Sequence, residues 1–268
     1  VGSTLLYVCS DLRVWVGGCR PCWGWPPSPR FVLAAGEGDA LDAALWYPDY
    51  DGDGYDELAV ATGAAMKTVP GSIGAVLIYP GHATGFANQP ATLVYGFPGG
   101  GGGYQYFGAM MASGDFTGDG DADWAAGMGK GAPQNLVEHP AFAFSPACAQ
   151  KLTDTPLNAT TAIFSGGLDA LPEDQAYAPS FMYYSDFIVT SRVFVDYNGD
   201  GAMDLIHANP SYKAGLPGFV GGVEFVAGRP ENPEGIEVIC EPDALFIGDA
   251  QSNFRIGYDV TGLGDLDG

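Results

Sequence analysis

One acidic, glycine-containing pattern occurs three times in the chain, and it constrains the fold more than any other feature of the sequence. Each copy starts with an aspartate, has glycines at positions 4 and 6, an aspartate at position 5 and an acid at position 9. The copies begin at Asp49, Asp115 and Asp196, and a fourth begins at Asp265. Successive starts are 66, 81 and 69 residues apart. A pattern that returns at such intervals indicates one structural unit used several times.

Glycine and proline punctuate the whole chain and favour strands over helices. The 268 residues include 41 glycines and 20 prolines, which interrupt helices. The apolar segments between them alternate or are rich in β-branched and aromatic residues, as strands are. An all-α protein is therefore excluded. No apolar run approaches the ~20 residues that a membrane-spanning helix needs.

The charge balance excludes partners that bind through lysine and arginine. Ten basic residues stand against 32 acidic ones, which gives a net charge of −22. Such a chain repels nucleic acid and anionic membrane surfaces and attracts cations. The acids recur at the repeated pattern, which favours metal ligands over a merely solvated acidic surface.

The spacing within the pattern is typical of a calcium loop. Oxygen-bearing side chains at positions 1, 3, 5 and 9, with a backbone carbonyl at position 7, suit Ca²⁺, and the glycine at position 6 allows the tight turn. An EF-hand is excluded, because position 12 holds Val60, Ala126 or His207 instead of glutamate. The predicted calcium ligands are Asp49, Asp51, Asp53, Tyr55 and Glu57; Asp115, Thr117, Asp119, Asp121 and Asp123; Asp196, Asn198, Asp200, Ala202 and Asp204; and Asp265 and Asp267.

The residues around the second copy resemble a known repeat. Phe107-Gly108 followed by the segment 114–120 (GDFTGDG) resembles the FG-GAP repeat of integrin α-subunit β-propellers. The segments 74–79 (GAVLIY) and 222–226 (GVEFV) resemble the strand that follows the loop in that family. The resemblance covers about residues 39–268. Thr117 replaces an acid or amide at position 3 of the second copy, so we expect that site to be weaker. Glu57 replaces aspartate at position 9 of the first copy.

The resemblance implies an all-β fold, a β-propeller of four-stranded blades with the calcium loop between the first two strands of each blade. About three complete blades and partial blades at both ends are expected. The implied segments are a partial blade with a Cys/Trp-rich insert at 1–38, FG-GAP-like blades at 39–98, 99–168 and 169–250, and the start of a further blade at 251–268.

The apolar segments predict the strands of each blade. For the first blade they are 43–47, 57–62, 75–79 and 91–95. For the second they are 104–113, 123–127, a strand near 141–144, and 160–164. For the third they are 187–195, 204–208, 223–226 and either 236–240 or 244–247. Segments 4–8 and 31–35 are expected to be the third and fourth strands of an earlier blade, and 254–261 the first strand of a later one.

Five cysteines are present, so at least one has no partner within the chain. Cys19 and Cys22 form a C-x-x-C motif, but neither a thioredoxin-like context nor a fourth zinc ligand accompanies it. We expect a disulfide from Cys9 to Cys19 or Cys22 that closes the tryptophan-rich insert.

No catalytic constellation is visible in the sequence, so we expect no enzyme activity. The resemblance implies a secreted, calcium-stabilised propeller at the cell surface that serves as an adhesion or structural module, and a subunit of a surface filament is one such role. Its expected partners are proteins, glycans or copies of itself. The alternatives left open are the propeller domain of a secreted polysaccharide lyase or hydrolase, and a lectin. Because incomplete blades expose strand edges, we also expect a longer chain or strands from a neighbouring subunit to complete them.

Overall fold

The structure is a computed structural model in which the regular elements among the described residues are strands, apart from helical backbone at Cys148. Those residues are 4–8, 13–18, 31–32, 41–47, 49–62, 75–87, 92–95, 107–108, 110–128, 142–144, 148, 159–166, 181–185, 191–213, 219–230, 236–249 and 255–263. The predicted all-β class is confirmed. The described part contains no helix that is long and apolar enough to span a membrane.

The N-terminal sheet is a three-stranded antiparallel meander. It consists of β1 (Thr4–Val8), β2 (Arg13–Gly18) and β3 (Phe31–Val32), with β2 in the middle. The segments 4–8 and 31–35 were expected to be consecutive strands, which is wrong, because the strand Arg13–Gly18 lies between them and pairs with both. Its alternation of valine with other residues is a strand pattern. Cys9, Cys19 and Cys22 lie outside the described residues, so their predicted disulfide stays a prediction.

Sheet 1 contains the first acidic loop and has the predicted order of strands. It is antiparallel and runs β4 (Leu41–Tyr47), β5 (Glu57–Thr62), β6 (Ala75–Tyr79), β9 (Thr92–Tyr95). A short hairpin of β7 (Gly81–His82) and β8 (Gly85–Phe86) lies between β6 and β9. Residues 57–61 and 76–79 are all buried, which explains why these strands read as continuous apolar runs.

Sheet 2 differs from the prediction at its third strand. Its first four strands are antiparallel: β10 (Met111–Gly114), β11 (Asp123–Met128), β13 (Ala159–Phe164) and β14 (Phe181–Ser185). The third strand was expected near 141–144, which is the nearer apolar segment. The actual pairing of β11 with β13 sets Trp124 opposite Phe164, and the two buried rings stack with centroids 4.3 Å apart.

Two further strands extend sheet 2 with parallel pairing. β18 (Ile236–Ile239) pairs with β14, and β12 (Phe142–Phe144) pairs with β18 at the far edge. The segment expected as a third strand is therefore an outer strand. Next to it, a disulfide joins Cys148 to Cys240, whose Cα atoms are 5.3 Å apart. The sequence did not indicate this pair.

Sheet 3 contains the third acidic loop. Its antiparallel order is β15 (Ser191–Val195), β16 (Asp204–Asn209), β17 (Gly222–Val226), β19 (Ala244–Ile247). Of the two predicted fourth strands, 244–247 belongs here and 236–239 belongs to sheet 2. The predicted strand at 254–261 is wrong. Ile256 forms one isolated parallel bridge with Gly221, and a positive φ of 84° at Gly257 interrupts the extended backbone.

Aromatic side chains pack between sheets 2 and 3. Phe116, from the second loop, lies 5.3 Å from Phe181 of sheet 2 and 5.9 Å from Phe194 of sheet 3, between ring centroids. Sheets 1 and 2 meet at Phe107-Gly108, where a Cβ on Gly108 would lie 2.9 Å from the Cβ of Ala61. The Phe116 contacts lie at the loop-bearing ends of sheets 2 and 3, whereas the Gly108 contact lies at the ends of sheets 1 and 2 away from their loops.

Candidate metal centre

The three acidic loops have the same backbone shape. We call residues 49–57 loop 1, residues 115–123 loop 2 and residues 196–204 loop 3. Each lies in the hairpin between the first two strands of its sheet. The glycines at positions 4 and 6 all have positive φ, which side-chain-bearing residues rarely adopt. The values are 75° and 93° for Gly52 and Gly54, 67° and 96° for Gly118 and Gly120, and 77° and 95° for Gly199 and Gly201.

The aspartate at position 1 and the aspartate at position 5 organise each loop. The position 6 amide donates to the position 1 carboxylate at 3.0 Å in all three loops, from Gly54 to Asp49, Gly120 to Asp115 and Gly201 to Asp196. The position 7 amide donates to the position 5 carboxylate at 2.9–3.0 Å, from Tyr55 to Asp53, Asp121 to Asp119 and Ala202 to Asp200. These bonds hold both carboxylates over the inside of the turn.

The acid at position 9 begins the second strand and is buried in every copy. Glu57, Asp123 and Asp204 are each 0% exposed. One carboxylate oxygen accepts a hydrogen bond from the start of the loop, namely from the amides of Tyr50, Thr117 and Tyr197. The other accepts from a distant glycine amide: Gly81 at 3.4 Å, Gly166 at 2.9 Å and Gly228 at 2.8 Å.

Burial makes these three carboxylates costly to ionise. It raises the pKa of Glu57 to about 7 and that of Asp123 to about 6, and it also raises the pKa of Asp204. The backbone hydrogen bonds oppose the shift, whereas neighbouring loop carboxylates add to it. A divalent cation among these oxygens would offset both the desolvation and the repulsion. The donor set, all hard oxygen, therefore fits a hard cation such as Ca²⁺.

Loop 1 brings three predicted ligands close together. Carboxylate oxygens of Asp49, Asp51 and Glu57 all lie within 4.8 Å of one another. Oxygens bound at ~2.3–2.6 Å on opposite sides of one Ca²⁺ are separated by about that distance. Burial and the nearby Asp53 and Asp49 carboxylates raise the pKa of Asp51.

The predicted ligands of loops 2 and 3 have the same backbone hydrogen bonds as those of loop 1, but their carboxylate oxygens lie farther apart. Among the described residues, no other trio of acids, histidines or cysteines meets as closely as in loop 1. In loop 2 the buried side chain of Thr117 lies beside Asp123 and partly offsets the rise that burial causes in the pKa of Asp123. In loop 3 the Asn198 amide donates to Asp200 at 2.9 Å. The carbonyl ligands predicted at Tyr55, Asp121 and Ala202 stay predictions, and Asp265 and Asp267 lie outside the described residues.

Sequence reasoning missed the glycines that contact position 9. Each is the second residue after the third strand of its sheet, in the segments 79–81 (YPG), 164–166 (FSG) and 226–228 (VAG). An apolar residue, any residue and a glycine is a weak motif by itself. It becomes a signal only when the third strand of each repeat is known, and in the second repeat that strand was misplaced.

Part of the chain matches a known protein family. No curated protein matches the chain. The FG-GAP repeat family model matches residues 44–79, which extend from β4 through loop 1 to the last residue of β6. The segment that carries the most converged acidic loop therefore matches the FG-GAP repeat family, as the resemblance predicted.

Proposed function

We propose that the chain is a calcium-stabilised β-propeller segment that serves as an extracellular adhesion or structural module. One observation carries the proposal: three loops, in three different sheets, share one hydrogen-bond frame around a buried acid. The frame recurs although the sequences between the loops differ. A feature kept at three places in one chain is best explained by a shared ligand, and its oxygen donors favour Ca²⁺.

The position of the loop carboxylates, in the turns that connect strands, supports a structural role for a bound ion. The carboxylates that meet in the loops are held by backbone amides at the ends of sheets. They are part of the turns that connect the strands, so an ion bound there would join those strands. We propose on this ground that the chain is not an enzyme.

A general property of such calcium sites and one disulfide of the chain support the proposed extracellular location. Sites of this kind outside cells bind Ca²⁺ at ~0.1–1 mM, close to the concentrations available there. The Cys148–Cys240 disulfide fits an oxidising compartment. The proposed partners are surface proteins, glycans or further copies of the chain, because the acidic chain repels nucleic acid.

The variant Asp200→Ala tests the ligand assignment. It removes one ligand of loop 3 and leaves the other carboxylates without a compensating ion. We expect the number of bound Ca²⁺, measured by native mass spectrometry and calorimetric titration, to fall by one. The matched control is Glu241→Ala, which removes an exposed acid outside the loops. An Asp200→Ala protein that binds as many ions as wild type would show that the assignment is wrong.

A further inference from the structure

We propose that the glycine two residues after the third strand of each sheet positions the position 9 carboxylate for the metal. These glycines are Gly81, Gly166 and Gly228, and we call them the latch glycines. Through them, ion binding in a loop is coupled to the end of the third strand. The inference rests on the proposed function, because it assigns a role at the same sites.

The hydrogen bonds are the first support. In loop 3, Asp204 accepts from the amide of Tyr197 at 2.8 Å through one oxygen and from the amide of Gly228 at 2.8 Å through the other. Loop 2 repeats this at 2.7 Å and 2.9 Å. A carboxylate has about four lone-pair positions. Two amide donors in fixed places set the plane of the group and leave a lone pair on each oxygen for a cation.

The space around the latch glycines is the second support, and it is independent of the first. A Cβ on Gly81 would lie 2.2 Å from the carbonyl oxygen of Asp56, and one on Gly166 would lie 2.2 Å from that of Ala122. For Gly228 the nearest atom would be the Cβ of Ala202, at 2.7 Å. Each latch glycine therefore packs on position 7 or 8 of its own loop, and no other residue type fits there without a shift.

The separation along the chain makes the coupling non-local. The latch glycine follows its acid by 24 residues in loops 1 and 3 and by 43 residues in loop 2. The contact is nevertheless the same in all three sheets. It joins the second strand, which starts with the acid, to the turn after the third strand. An ion that pulls on the carboxylate is expected to tighten this turn as well.

The variant Gly228→Ala tests the positioning role. Partners that orient a metal ligand typically change affinity by ~10–100-fold when they are altered. We expect Ca²⁺ affinity to fall about that much at one site, with the other two sites unchanged in calorimetric titration. The control Gly127→Ala also adds a crowded methyl group, 2.2 Å from the Arg192 guanidinium as against 2.7 Å from the Cβ of Ala202 in Gly228→Ala, but Gly127 is not one of the latch glycines. Unchanged affinity in Gly228→Ala would overturn the inference.

A measurement on wild-type protein covers the case in which Gly228→Ala does not fold. In ¹H–¹⁵N spectra, the amide signals of Gly81, Gly166 and Gly228 are expected to shift during a Ca²⁺ titration together with loop amides such as Gly201. If the loop amides shift and the latch amides do not, the inference is wrong and the proposed function stands. If no loop amide shifts and no ion binds, the proposed function fails and the inference fails with it.

Discussion

A buried arginine lies where sheets 2 and 3 meet. Arg192 is 8% exposed, and among the described residues its Nε and Nη1 atoms have no hydrogen-bond partner and no carboxylate pairs with it. Burial lowers its pKa to about 9, so the guanidinium is charged at neutral pH. Opposite it, Gly127 leaves room for the guanidinium, because a Cβ there would lie 2.2 Å from Nη2. A buried charge without a carboxylate partner destabilises a fold.

The variant Arg192→Met should therefore stabilise the protein. Methionine keeps much of the volume and removes the desolvated charge, and such replacements gain about 1–3 kcal/mol. The midpoint of urea unfolding is the measurement, compared with the control Arg229→Met. Arg229 lies 3.7 Å from Glu237 and 3.8 Å from Asp243, and we expect no gain from its loss. A lower midpoint for Arg192→Met than for wild type would contradict the interpretation of Arg192 as an unpaired charge.

Because the neighbouring His207 is buried between the same two sheets, we expect their contact to be sensitive to acid. It is fully buried, its Nε2 is 3.3 Å from the hydroxyl of Thr161, and its ring centroid is 5.2 Å from that of Tyr183. Burial, and then the charge of Arg192, lower its pKa well below 6.5. In sheet 3 it lies opposite Arg192 on one side and opposite Glu224 on the other.

The sign of the pH effect follows from the lowered pKa. Below about pH 6.5 the unfolded chain binds a proton that the folded chain does not, so stability falls as pH falls, by up to ~1.4 kcal/mol per pH unit. His207→Gln removes this contribution. We expect the stability difference between wild type and His207→Gln to change between pH 7 and pH 5, with wild type losing more. Parallel curves from chemical denaturation at both pH values would refute the prediction.

Individual site residues differed in how far the sequence predicted them. The loop residues were predictable because their contacts are local: Gly54, Gly120 and Gly201 all reach their aspartates over five residues. The latch glycines were not predictable, because their contact with the position 9 acid depends on which segment forms the third strand of the sheet. His207 is fully buried. Its neighbours Thr161 and Tyr183 come from another sheet, so no local pattern indicates them.

Among the elements, sheets 1 and 3 followed the sequence and sheet 2 did not. In sheet 1 the four predicted strands pair in the order in which they occur along the chain. In sheet 2 a segment of 30 residues separates β11 from β13, and it contains the apolar β12. The local sequence pattern indicates a strand at Phe142–Phe144. It does not indicate the parallel partner of that strand, which is β18 and follows the third strand of sheet 3 along the chain.

The disulfide beside β12 and β18 is expected to hold this outer pair in place. It joins cysteines separated by 92 residues, and loss of such a crosslink typically costs about 2–5 kcal/mol. We expect the double variant Cys148→Ala, Cys240→Ala to melt at lower temperature than wild type. Hydrogen exchange should be faster at residues 236–239, with β16 as the internal control. Unchanged exchange at 236–239 would contradict this role.

At the scale of the whole molecule, the position 2 residues of loops 1 and 2 connect one sheet to the next. Tyr50 of loop 1 is buried and donates to the carbonyl of Ser165 in sheet 2 at 3.0 Å. Phe116 of loop 2 is buried, and its carbonyl accepts from Arg229 beyond β17 at 2.8 Å. Tyr197 of loop 3 is 43% exposed, and its ring centroid lies 5.1 Å from that of Phe225 in its own sheet. That further strands complete the assembly stays a prediction, which intact mass and a map of the native particle would test.

The central claim is that calcium in the three loops stabilises the whole fold. At tenfold excess over Kd each site adds about 1.4 kcal/mol, or roughly 4 kcal/mol for three independent sites, which is a large part of the ~5–15 kcal/mol of a typical domain. Calorimetric melting of one preparation in millimolar Ca²⁺ and in excess chelator tests it most directly. We predict a Tm lower by about 10 °C in chelator, restored by Ca²⁺ and only weakly by Mg²⁺. Identical melting curves with and without chelator would contradict the account.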